Sequence, residues 1–303
     1  MARKVNNYDI YASHAWYTPG VGGMFALLGW LLVGLFIGNL LQLIALKFVP
    51  QQIVLDYGMI VVYPLQFIPG MIYAARVSQK NALFEKGYSL DSFHSGPFKP
   101  WAVVLMTIAL IASGMMVFDL PNYLNMKLSM RSSILARLYE VLMQMMKQMT
   151  GGPLWSSFLV VAIMAPVFEE WLCRGMVLRG LLTTKIKPVW AIVISALFFA
   201  LIHGNPWQAL NAFLIGVLMG YVYYKTGSLK LTMLMHFVNN ATAVILMNIE
   251  SLKEYDFWID VLGKQNYMIV FFFSLTILSA GIWFFSRIPT QHSRGNIDTV
   301  EAD

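Results

Sequence analysis

Trp155–Leu178 reads WSSFLVVAIMAPVFEEWLCRGMVL. At about 1.5 Å per residue, a helix of this length crosses the ~30 Å hydrocarbon core of a bilayer. Toward one end it nevertheless carries Glu169, Glu170 and Arg174. Each charge at a helix centre costs about 2.5–3.5 kcal/mol to insert, so three of them need a reason. Successive residues point about 100° apart, so Glu169 and Glu170 face different partners. Arg174 lies four residues after Glu170 on the same face, which predicts an intrahelical ion pair. Glu169 is left to face a cavity. The plainer alternative is a buried polar pair that only orders helix packing.

The rest of the chain places this helix among others like it. Of 303 residues, 58% are hydrophobic and 12% charged, and the mean hydropathy is +0.63. A soluble domain carries roughly 25% charged residues. So few charges cannot cover a water-soluble body of this size, so much of the solvent must be lipid. The net charge of +6 then speaks of topology and anionic lipid, with no nucleic-acid partner expected. One cysteine, Cys173, allows no intramolecular disulfide and packs as a small apolar residue. We expect no secretory signal peptide, because no apolar run follows Arg3 and Lys4 until about Met24, and no prenylation box at the C-terminus.

Apolar runs predict an all-α, polytopic membrane helix bundle of about eight spans. They are Met24–Ala45, Tyr57–Ala75, Trp101–Phe118, Trp155–Leu178, Val189–His203, Trp207–Tyr224, Leu231–Ile249 and Tyr267–Phe285. The second holds Pro64 and Pro69 and is expected to kink. With a cytoplasmic N-terminus, thirteen Lys/Arg fall in inside segments and seven in outside ones, which favours both termini inside. Ser129–Met149, with Leu135, Leu138, Leu142 and Met145 at helical spacing, reads as an amphipathic helix at the interface or a surface-packed connector. Leu252–Gln265 reads as a loop or short interfacial turn. One membrane domain over residues 1–303 is the expectation, with the chemistry in its 155–249 helices.

Two further polar clusters sit on predicted spans. The fifth ends Phe199-Ala200-Leu201-Ile202-His203, and the seventh contains His236 and Asn240, four apart on one face. Two histidines on separate spans and a glutamate on a third are what a hydrolytic site needs to hold or activate water. From the residues alone they make a functional site, with metal binding one option. Gly216 and Gly220 form a small-xxx-small face that lets helices approach closely.

Glu169-Glu170-x-x-x-Arg174, Phe199-x-x-x-His203, Phe213-x-x-Gly216-x-x-x-Gly220 and His236-x-x-x-Asn240, in this order, resemble the motif set of the CPBP intramembrane metalloproteases. These comprise the type II CAAX prenyl endopeptidases and their bacterial Abi-type relatives. The resemblance covers roughly Phe168–Asn240, and the N-terminal half shows no matching motif. It implies an intramembrane metalloendopeptidase acting on membrane-associated or prenylated CAAX-type substrates. Glu169 would be the base that activates water. His203 and His236 would orient that water or, with Glu169, hold a zinc ion. Asn240 would stabilise the oxyanion, and Glu170 and Arg174 would brace the site. It implies an integral protein of a bacterial inner (plasma) membrane, with lipid and a membrane-associated peptide or protein as partners. Bacteriocin self-immunity or processing is the alternative biological role.

Two other classes compete. Buried Glu, His and Arg also mark the proton relays of ion-coupled transporters, but no matching halves or inverted repeats are present. A non-catalytic membrane scaffold is the other, and against it every motif position is intact. Straight helices put Glu169 and His236 in the cytoplasmic third but His203 about 20 Å in from Val189. Convergence requires the fifth helix to start short of the membrane surface or to tilt.

Overall fold

The structure is a computed structural model that describes residues 19–290 except 81–90, 92, 151, 183 and 254; for 78–80 and 145–150 it describes the helix but not the side chains. The expectations about the two termini, and the charges Arg3, Lys4, Lys86 and Arg294, lie outside the described residues. Among those residues there is no strand. The helices are α1 (Val21–Ala45), α2 (Gln51–Lys80), α3 (Pro100–Ser129), α4 (Ser133–Thr150), α5 (Leu154–Leu182), α6 (Pro188–Ile202), α7 (Pro206–Thr226), α8 (Leu229–Met247), α9 (Trp258–Leu262) and α10 (Lys264–Ser286).

Six of them are long and apolar enough to cross a membrane: α1, α2 over Gln51–Val77, α3, α5, α8 and α10. The number eight does not emerge. The expected fifth span is α6, whose 15 residues reach only about 22 Å. The expected sixth is α7, 21 residues long but interrupted by Gln208, Asn211 and Lys225, and not among the six. The two make an antiparallel hairpin. Gly216 meets Ala196 and Gly220 meets Ile192, where added Cβ atoms would each stand 3.1 Å from a side-chain carbon. The outer surface is apolar, as lipid requires: Phe25, Phe36, Phe48, Phe272 and Phe273 are all more than half exposed.

A second hairpin, α1–α2, rests on Gly34 and Gly38. A Cβ on Gly34 would lie 2.6 Å from the Leu65 carbonyl oxygen, and one on Gly38 would lie 2.9 Å from Val62 Cγ1. Helix α2 runs on through Pro64 and Pro69. The main core lies where α3, α7, α8 and α10 meet, around Leu110, Met219, Met235 and Leu278. Helix α3 continues past the expected end at Phe118, through Pro121 to Ser129. There Asp119 accepts the first amides of α9, from Trp258 (3.1 Å) and Ile259 (3.3 Å), so the expected loop after Leu252 contains a capped helical turn.

Helix α4 is the amphipathic segment. Tyr139 turns inward, its ring edge-on to Trp207 at 5.3 Å and its hydroxyl donating to Asp256 at 3.1 Å. Burial, with the Asp256 carboxylate adding, pushes that hydroxyl up to about 12, so it keeps its proton and stays a donor at neutral pH. Ile134, Leu138 and Val141 point away from the body and are exposed.

Candidate active site

The site is built on α5, which is not a uniform helix. Phe158–Met164 and Trp171–Leu178 are π-helical, and one α-helical piece, Ala165–Glu170, sits between them. Proline explains part of this. Pro166 has no N–H, so it cannot donate to the carbonyl four or five residues back. Five back is Val161, and the Asn240 side-chain amide of α8 donates to that oxygen instead, at 2.8 Å. Asn239 in turn donates to Asn240 Oδ1 at 3.0 Å. One Asn240 N–H is therefore structural, and an amide nitrogen carries a second.

Glu169 and Glu170 separate as helix geometry predicts. Glu170 is wholly buried and accepts from Arg174 Nη1 at 2.6 Å. Arg174 also donates from Nη2 to the Gly216 carbonyl at 2.9 Å and lies 4.6 Å from the Phe199 ring centre. The same Glu170 oxygen is 3.1 Å from His236 Nδ1. A carboxylate accepts, so Nδ1 carries the proton and Nε2 faces outward as an acceptor. Glu170 thus ties three helices, α5, α7 through Arg174, and α8.

Glu169 points the other way, with its side chain 13% exposed. Its Oε1 accepts a hydrogen bond from Tyr63 of α2. Its Oε2 is buried and has no hydrogen-bond partner among the described residues. The nearest polar atom recorded beside it is His236 Nε2, at 3.9 Å. That is too far for a direct hydrogen bond.

His203 enters from the turn after α6. Its ring stands edge-on to Phe199 at 4.7 Å, and His236 meets the same ring edge-on at 5.4 Å. Both histidines therefore contact the same Phe199 ring, so the turn after α6 does reach α8. His203 Nδ1 donates to the Phe199 carbonyl at 2.7 Å, so its Nε2 also points outward. This is the tautomer a metal or a water O–H would take. The spacing is another matter: among the described residues no three His, Cys, Asp or Glu side chains stand close enough to hold a metal ion. Cys173, buried and free, borders the cluster through its carbonyl, which accepts from Ser195 at 2.9 Å.

All six candidate residues lie around one Phe199-centred cluster or on the helices that form it. Sequence reasoning missed Tyr63, which comes from 106 positions away on a span with no recognisable motif. A buried hydroxyl in lipid needs a partner, and that was the only available hint.

A bundle of apolar helices around a cluster of buried carboxylates, imidazoles and an amide defines an integral membrane protein with a polar cluster among its helices. Residues 151–242 match the model of the family described as type II CAAX prenyl endopeptidase Rce1-like. That segment holds Glu169, Glu170, Arg174, His203, His236 and Asn240, and the family it matches is the one its motifs resemble. No curated protein and no solved structure matches the chain.

Proposed function

We propose that this chain is an intramembrane endopeptidase that hydrolyses a peptide bond of a membrane-associated substrate, with Glu169 as general base. One observation carries it: a buried glutamate oxygen without a partner, 3.9 Å from an imidazole nitrogen whose tautomer is set by a second glutamate. A water in that gap donates one O–H to Glu169 Oε2 and the other to His236 Nε2. Glu169 takes the proton as the oxygen adds to the substrate carbonyl. The free N–H of Asn240 stabilises the oxyanion, a task worth about 3–4 kcal/mol for one donor elsewhere. The intermediate collapses, the C–N bond breaks, and Glu169 passes its proton to the leaving amine. General-base catalysis of this kind contributes about 10²–10⁴-fold.

Zinc is the cofactor that the resemblance admits, on Glu169, His203 and His236. Both rings present the right nitrogen, but a catalytic zinc is usually held by three protein groups, and among the described residues no three gather. Elemental analysis of active protein decides the matter. Stoichiometric metal that disappears in His203→Ala or His236→Ala would replace the water-only version with a metal-bound one.

The matched family's description points to prenylated substrates, and we carry that class over. Purified protein in liposomes should cleave a peptide with a farnesylated C-terminal cysteine motif and leave the unprenylated peptide intact. Equal cleavage of both would keep the endopeptidase and discard the prenyl requirement. Cleavage of neither, nor of any membrane-anchored peptide, would count against the whole proposal.

A further inference from the structure

We infer that Tyr63, in the N-terminal half and outside the family match, is a positioning residue that aims the Glu169 carboxylate. The inference rests on Glu169 being the base. A glutamate side chain has a soft terminal torsion, so a carboxylate in a cavity can present either oxygen in many directions. Here the Tyr63 hydroxyl donates to Oε1, and Oε2 is the oxygen left facing His236. The hydroxyl is in turn held by its ring. Tyr63 packs against Phe67 (5.5 Å) and Phe168 (6.5 Å), and Phe67 stacks on Phe168 at 5.4 Å.

The scaffold behind Tyr63 is closely packed as well. Gly34 and Gly38 let α1 press on α2 at Leu65 and Val62, the residues on either side of the Tyr63–Pro64 step. The α1–α2 hairpin therefore has a catalytic consequence without carrying a catalytic residue. The 151–242 segment holds the reacting groups and borrows from α2 the hydrogen bond that orients one of them.

Tyr63→Phe is the informative change, because it keeps the ring contacts and removes only the hydroxyl. In the full chain, kcat on the cleaved peptide should fall about 10–100-fold, with KM within about twofold and the melting temperature unchanged, since a misaimed group costs rate rather than binding. A kcat within twofold of wild type overturns the inference. So does a loss of rate matched by an equal loss of folded protein, because that is a structural role. Glu169→Gln in the same assay separates the layers. An active Glu169→Gln sinks both the base and its positioner, whereas an inactive Glu169→Gln beside a fully active Tyr63→Phe sinks the positioner alone. Infrared spectroscopy supplies a readout without turnover. The carboxyl band that disappears in Glu169→Gln should shift in Tyr63→Phe, and an unshifted band overturns the inference.

Discussion

At the scale of single residues, the adjacent glutamates are opposites. Glu169 keeps one oxygen unbonded, while Glu170 holds Arg174 and His236 and is wholly buried. Removing one partner of a buried ion pair leaves the other charge uncompensated, at a cost of about 3–5 kcal/mol. Glu170→Gln should therefore lower the melting temperature markedly, and adding Arg174→Met should restore part of the loss. Thermal unfolding of the two variants checks this, and a stable Glu170→Gln with a normal melting temperature would mean the pair is not what holds α5 to α7. The division between the two glutamates was legible from spacing alone, because 100° per residue and an arginine four positions on leave little choice. The Asn240–Val161 bond was not legible. It depends on α5 switching to π geometry ahead of Pro166, and sequence periodicity does not register where a helix takes up an extra residue.

At the scale of elements, two pairs of glycines work alike, yet only one was read beforehand. Gly216 and Gly220 stood out because they lie between the histidine motifs. Gly34 and Gly38, at the same four-residue spacing, sat in a run so uniformly apolar that nothing marked one face. The tight contact they permit is visible only once α2 is packed against them. Gly34→Leu should overpack this interface by about 1–3 kcal/mol or more and reduce folded yield. Gly29→Ala, on the same helix with nothing within 4 Å of its added Cβ, should be neutral or stabilising by up to about 1 kcal/mol. Comparable melting temperatures for the two variants would contradict the close α1–α2 packing. Helix α6, the shortest of the expected spans, is a related case. Its apolar composition resembles a span, but its length makes it the first arm of a hairpin, and only length separates the two.

At the scale of the whole molecule, an all-α membrane bundle followed directly from composition, whereas the number of spans did not. Orientation is insensitive to the difference. The α6–α7 hairpin is antiparallel, so among the described residues six spans with it, or eight counting both arms, are each an even number, for which both ends are expected on one side. The thirteen-to-seven bias of Lys/Arg carries the expectation that this side is the cytoplasm. Reporters fused at the two ends should both give the cytoplasmic signal, and a split result would mean a span is missing or surplus. Within this frame α5, the turn after α6, and α8 carry the candidate site residues, and Tyr63 of α2 donates a hydrogen bond to one of them, Glu169.

The central claim is that Glu169 activates water across from His236. The single-turnover cleavage rate of Glu169→Gln, measured beside wild type on a membrane-anchored peptide, tests it most directly. The account predicts a folded protein with an unchanged melting temperature and a rate lower by about 10²–10⁴-fold. A Glu169→Gln protein that cleaves at the wild-type rate would contradict it.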